Sequence, residues 1–143
     1  MQPDEHRPRS WQDPDVVERV IRSMRSVAVV GVSPRPDRPS HQVARYLHEQ
    51  GIEVVAVNPN LDELFGRPAY PSLLALPRPV DVVDVFRRQE AVPPIAEQAV
   101  ALGAGALWLQ LGVVSEEGAR IAADGGLDVV VDLCLKVEHA LRR

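Results

Sequence analysis

Between Val27 and Val43 the chain reads VAVVGVSPRPDRPSHQV, an apolar run closed by Gly31 and followed by Ser33, Arg35, Arg38 and Ser40. These residue types suit one kind of chemistry, the binding of an anion. A glycine lets a ligand approach the main chain, serines offer hydroxyls and backbone donors, and a helix starting near Ser40 turns its positive end toward the loop. Guanidinium groups on Arg35 and Arg38 add the charge that a phosphate needs. A plainer reading fits the same residues: Gly31 serves a tight turn and both arginines are solvated.

Two further segments carry residues of this kind. Phe86 is followed by Arg87 and Arg88, so a ring that can stack on a planar base stands beside cations. Core packing of Phe86, with the arginines in solvent, is equally compatible. Gln110 lies between Leu109 and Leu111 and precedes Gly112, placing an amide that can read polar ligand edges beside a residue that permits close contact.

The dinucleotide fingerprint G-x-G-x-x-G/A is absent, because Gly31 is followed by Val32, Ser33 and a proline-rich segment. Val57, Asn58 and Pro59 stand where an acidic residue would hold ribose hydroxyls. A different adenine nucleotide therefore suits the loop better than a nicotinamide dinucleotide. No catalytic or metal-binding constellation emerges. His6 and His48 read as surface residues, while His41 reads either as a phosphate donor or as an exposed first-turn residue. Cys134 and His139 are five residues apart, a spacing that does not promise nucleophile–base contact. Cys134 reads first as a small buried hydrophobe.

The elements that must position these residues are legible from periodicity and punctuation. Asp13 followed by Pro14 opens a helix over 14–24, with Val16, Val17, Val20, Ile21 and Met24 at helical spacing. Apolar runs of strand length follow at 27–31, 52–58, 80–86, 105–110 and 127–133. Helices are predicted between them over 40–50, 93–102 and 115–123; the first two end at Gly51 and Gly103, and the third opens at Ser115 with acidic Glu116 and Glu117. The crossover 59–79 is proline-rich and leaves room for only a short helical turn near 72–75.

β-branched strands alternating with helices indicate a doubly wound α/β fold: a parallel five-stranded sheet covered on both faces, in three layers. The expected organisation is an arm over residues 1–13, pinned by Trp11, and one domain over 14–143. Ligands of such sheets bind beyond the carboxyl ends of the strands, where the strand order reverses. That rule nominates the loops after Gly31, Val57, Val85, Leu109 and Leu133.

Composition narrows the partners. The 143 residues are 45% hydrophobic and 25% charged, with a net charge of -4. This balance argues against a nucleic-acid binder that works through a broad basic face. The single cysteine precludes an internal disulfide and suggests a cytoplasmic protein. No apolar segment approaches the length of a spanning helix, so no membrane role is expected. Pairing into a homodimer, or with another protein, stays open.

The pieces VAVVGVSPRPDRPSHQVARYL, VNPN, LFGRPAYPSL, VDVVDVFRR, LWLQLGV and DLCLKVEH occur in that order between Val27 and His139. In this the chain resembles the small single-domain CoA-binding proteins, relatives of the nucleotide-binding domain of the succinyl-CoA synthetase alpha subunit. The resemblance implies a Rossmann-like domain that binds coenzyme A through its phosphorylated adenosine half. Carried over, Gly31, Val32, Ser33, Arg38 and Ser40 line the phosphate loop, and Asn58 and Pro59 the mouth of the second strand. Phe86 and Arg87 take the adenosine side, and Gln110 and Gly112 the pantetheine path. A non-catalytic carrier, sensor or regulatory module follows; the alternatives are an NAD(P)-binding oxidoreductase and a subunit of an acyl-CoA ligase. On this reading Cys134 has a second role, a mixed disulfide with the CoA thiol.

Overall fold

The computed structural model describes residues 11–143. Helix α1 spans Pro14–Ser23; the Asp13 carboxylate accepts from the Asp15 N–H at 2.9 Å, and proline occupies the first turn, where no N–H is needed. Strand β1 (Ser26–Val30) leads through α2 (Pro39–Glu49) to β2 (Glu53–Val57). A small hairpin follows, β3 (Glu63–Leu64) and β4 (Arg67–Tyr70), then a 3₁₀ turn at Leu73–Ala75. Strand β5 (Val82–Val85), α3 (Val92–Leu102), β6 (Ala106–Leu109), α4 (Glu116–Asp124), β7 (Asp128–Val131) and α5 (Leu135–Ala140) complete the chain.

The sheet runs β3-β4-β2-β1-β5-β6-β7, parallel except where β3 meets β4. Strand β1 lies at the centre, with Val27 in register with Val54 on one side and Val82 on the other. Side chains alternate between the faces. Ala28, Val30, Val83, Val85, Leu107 and Leu109 pack under α3 and α4, through Ile95, Ala96, Ala99, Ala119 and Ala122. Val27, Val29, Val82, Trp108 and Val130 pack under α1, α2 and α5, through Val17, Val20, Val43, Leu47 and Leu135. Trp108 is completely buried, and its indole N–H donates to the Leu133 carbonyl at 2.8 Å. The architecture is the expected three-layer, Rossmann-like α/β fold.

Seven strands are present where five are expected. The extra two are β3 and β4, in the crossover that the sequence marks only as irregular. They have two and four residues, too few to display an alternating pattern, and Pro68 sits within the second. The other boundaries shift by at most two residues. Helix α4 starts as expected: Ser115 is its cap and accepts from the Gly118 N–H at 3.0 Å. Helix α5, of six residues, is an addition.

Residues 1–10 of the expected arm, and His6 with them, lie outside the described residues. Trp11 packs against the α3/α4 side of the core, and its indole N–H donates to Glu116 Oε1 at 2.9 Å. No helix among the described residues is long and apolar enough to cross a membrane.

Candidate functional site

The chain leaves β1 toward β2 on one side, whereas β5, β6 and β7 fill the other. The loops after β1 and β5 therefore diverge, and a crevice opens at their carboxyl ends. Two recesses meet there, and both are lined by Gly31. One, of about 340 Å³, lies on the α2 side and is bordered by Ser33, Arg38, Ser40 and Phe86. The other, of about 430 Å³, lies on the α3 side and is bordered by Asn58, Pro59, Arg87, Ser72 and Gln98.

Gly31 has φ +87°, and its N–H donates to the Val57 carbonyl at 2.9 Å. A Cβ at this position would come within 2.4 Å of the Phe86 carbonyl oxygen and 2.9 Å of Arg87 Cδ. The close approach that requires glycine is thus between the ends of β1 and β5, before any ligand is considered.

The loop after Gly31 is fixed almost atom by atom. The Asn58 amide donates to the Val32 carbonyl at 2.9 Å, and Asn58 Oδ1 accepts from the Asn60 N–H at 2.8 Å. The Ser33 N–H donates to Ser40 Oγ at 2.9 Å, and Ser33 Oγ accepts from the Arg35 N–H at 3.1 Å. The hydroxyls that the sequence offers as ligand donors are hence also the braces of the loop. Helix α2 begins at Pro39, one residue before the expected Ser40, and Arg38 stands at its cap position without a side-chain capping bond.

His41 differs from both of its expected roles. It is buried, 4% exposed, with Nδ1 at 2.9 Å from the Ser33 carbonyl and Nε2 at 3.0 Å from Arg45 Nη2. A carbonyl can only accept, so Nδ1 carries the proton and Nε2 receives the guanidinium N–H. The imidazole is a neutral strut between the loop and α2.

Arg38 and Arg87 are exposed and border the recesses, and among the described residues no carboxylate pairs with either. Arg35 instead pairs with Asp37 at 3.1 Å. Phe86 packs, half-buried, on the core beneath α1, α2 and α5, and it also lines the α2-side recess. Val32 is fully buried, so only its main chain belongs to the loop.

Gln110 and Gly112 border neither recess. Gln110 is 5% exposed, and its Oε1 accepts from the Leu135 N–H at 2.9 Å, holding the start of α5. Gly112 donates its N–H to Asp132 Oδ1 at 2.7 Å, where Asp132 has φ +66°. Ser72 and Gln98 are polar lining residues that the sequence does not nominate. The one available signal for Gln98 is a polar residue three positions after buried Ile95, in a helix whose only other polar side chain is Glu97.

Cys134 is half-buried rather than fully buried, and it precedes α5 at the edge of the core. His139 is engaged elsewhere: its Nδ1 and the Tyr46 hydroxyl are hydrogen-bonded at 2.8 Å. Burial and the nearby Arg143 hold its imidazole below the usual histidine range, which favours the neutral ring. His48 is exposed, as expected. One titratable group in the central sheet has no partner at all among the described residues. Asp84 is completely buried in β5, flanked in register by Val29 and Trp108, and neither carboxylate oxygen has a hydrogen bond. Burial pushes its carboxyl well above the ordinary range.

A family described as a CoA binding domain matches residues 25–140. The uncharacterized protein YneT of Bacillus subtilis (strain 168) is 39% identical over 127 residues, covering 89% of this chain and 94% of that protein. A solved structure from Thermus thermophilus is 40% identical with a TM-score of 0.84, covering 90% of this chain and 98% of that one. Acetate–CoA ligase [ADP-forming] I of Archaeoglobus fulgidus is 32% identical over 103 residues, a match to 66% of this chain and only 14% of the ligase.

Proposed function

The chain belongs to the CoA-binding domain family, and from that premise we propose that it binds coenzyme A or an acyl-CoA through the phosphorylated adenosine half. The observation that carries this reading is the pair of recesses meeting at Gly31, each bordered by one arginine. An anion with several phosphates can be gripped from two sides by Arg38 and Arg87, and guanidinium groups match phosphate oxygens in pairs. The half-buried ring of Phe86 supplies a flat apolar wall beside them, suited to an adenine. Gln110 and Gly112, beyond the recesses on the same end of the sheet, mark the pantetheine path.

The polar side chains at the crevice are cations, amides and hydroxyls, joined by one aromatic ring, groups that hold a ligand. The nearest imidazole, on His41, has both nitrogens engaged. The reading is therefore a cytoplasmic binding domain over residues 14–143 that carries, senses or presents CoA to a partner or to a second copy of itself. The match to an ADP-forming ligase favours a second reading, in which the domain serves an acyl-CoA ligase as one of its parts.

Titration calorimetry with CoA, acetyl-CoA, dephospho-CoA, ATP and NAD tests the first reading. Coenzyme A should bind more tightly than dephospho-CoA, ATP or NAD. Tight NAD binding without a CoA signal would replace it with the oxidoreductase alternative. The ligase reading requires CoA-dependent acyl-CoA formation from acetate and ATP when candidate ligase subunits are added.

A further inference from the structure

The β3–β4 hairpin turns through Phe65 and Gly66, with φ of +53° and +78°. Two positive φ values in a two-residue connection make the turn type that favours asparagine, aspartate or glycine at its first position. An aromatic residue with positive φ is uncommon and strained. Its side chain must therefore be kept for its contacts.

Besides packing on the core edge, the ring meets three polar residues on one face of α2. The Phe65 ring meets His41 edge to face, with centroids 5.5 Å apart and planes at 77°. It stacks on His48 at 4.9 Å and 21°, and the Arg45 guanidinium carbon stands 5.8 Å from its centroid. His41, Arg45 and His48 follow at helical spacing, so a single ring covers all three. His41 in turn reaches the Ser33 carbonyl, and Ser33 borders the crevice.

Resting on the CoA-binding reading, we propose that Phe65 is a positioning residue of the crevice. Its ring closes the open side of the His41 imidazole, fixes its rotamer, and through the Nδ1 hydrogen bond holds Ser33 and the loop after β1 in their binding shape. The hairpin is thus a clamp on the ligand loop, although it lines neither recess at this residue.

The test uses Phe65→Asn, which suits the turn and removes the ring. In the ligand-free protein, the ¹⁵N shifts of the His41 imidazole should change from one fixed tautomer to an exchanging average. Coenzyme A should bind about three- to tenfold more weakly, the range expected for losing aromatic contacts. Phe65→Tyr should restore both signals. A Phe65→Asn protein with wild-type affinity and an unchanged His41 tautomer overturns the proposal. Should that variant not fold, Phe65→Leu, which keeps apolar bulk without the ring, is judged by the same two readouts. Where wild type itself does not bind coenzyme A, the functional reading fails, yet the His41 nitrogens still decide this inference: averaging upholds it, and no change overturns it.

Discussion

Gly31 and Phe86 sit so close across the ends of β1 and β5 that a single added carbon on the glycine would meet the phenylalanine carbonyl oxygen at 2.4 Å. The Phe86 N–H also donates to the Val30 carbonyl at 2.9 Å, so neither strand end can swing away cheaply. Gly31→Ala combines this clash with a φ of +87° that L-residues rarely adopt. The substitution should cost about 3 kcal/mol, from backbone strain and overpacking together. Urea denaturation measures it, and a loss under about 1 kcal/mol would mean the strand ends can separate.

Arg38 and Arg87 border different recesses. Arg38→Ala and Arg87→Ala should each weaken coenzyme A binding by about tenfold, the size of one lost charged hydrogen bond. Dephospho-CoA, lacking one phosphate, should lose less in at least one of the two variants. Calorimetry on both ligands decides the matter, and equal losses throughout would remove the arginines from phosphate recognition.

Asp84 makes stability depend on pH in an unusual direction. Its folded-state carboxyl is raised by burial well above the usual carboxylate range, so between the unfolded and folded values the native state holds the extra proton. The contribution is fully present below the unfolded pKa and is lost as pH rises toward the folded one, at up to about 1.4 kcal/mol per pH unit. Asp84→Asn, which cannot ionise, should abolish that slope. Thermal midpoints of both proteins from pH 4 upward should diverge as pH rises; parallel profiles would show that the Asp84 carboxyl titrates alike in the folded and unfolded states.

Gln110 supplies the acceptor for the buried Leu135 N–H. Gln110→Ala leaves that donor unpaired and should cost about 1–3 kcal/mol. Hydrogen exchange should speed up first at Leu135 and through α5. Uniform destabilisation without such local opening would contradict the capping role.

The fold was legible wherever the signal is local. Asp13-Pro14 and Ser115 start helices through bonds spanning two or three residues, and the runs of valine declare strands buried on both faces. The β3–β4 hairpin was not legible, because pairs this short have no period to detect. The loop from Gly31 to Ser40 is nominated because strand ends in such sheets carry sites as a rule, and its residues border a recess. Ser72 and Gln98 reach the crevice from elements that only tertiary packing brings there. His41 could not be read as buried, since a hairpin 24 residues away supplies the ring that closes over it. Asp81 and Asp84 look alike in VDVVDVF, yet Asp81 accepts from the Arg25 and Ser26 N–H groups while Asp84 has no partner.

Gln12 donates its side-chain amide to the Val131 carbonyl at 2.8 Å and to the Asp132 carbonyl at 3.3 Å. Val131 ends β7, the outermost strand on that flank of the sheet. A row of unsatisfied carbonyls on such a border invites an incoming chain to zip alongside and extend the ladder. With its last rung already occupied, this border is blunted at that end against an incoming strand.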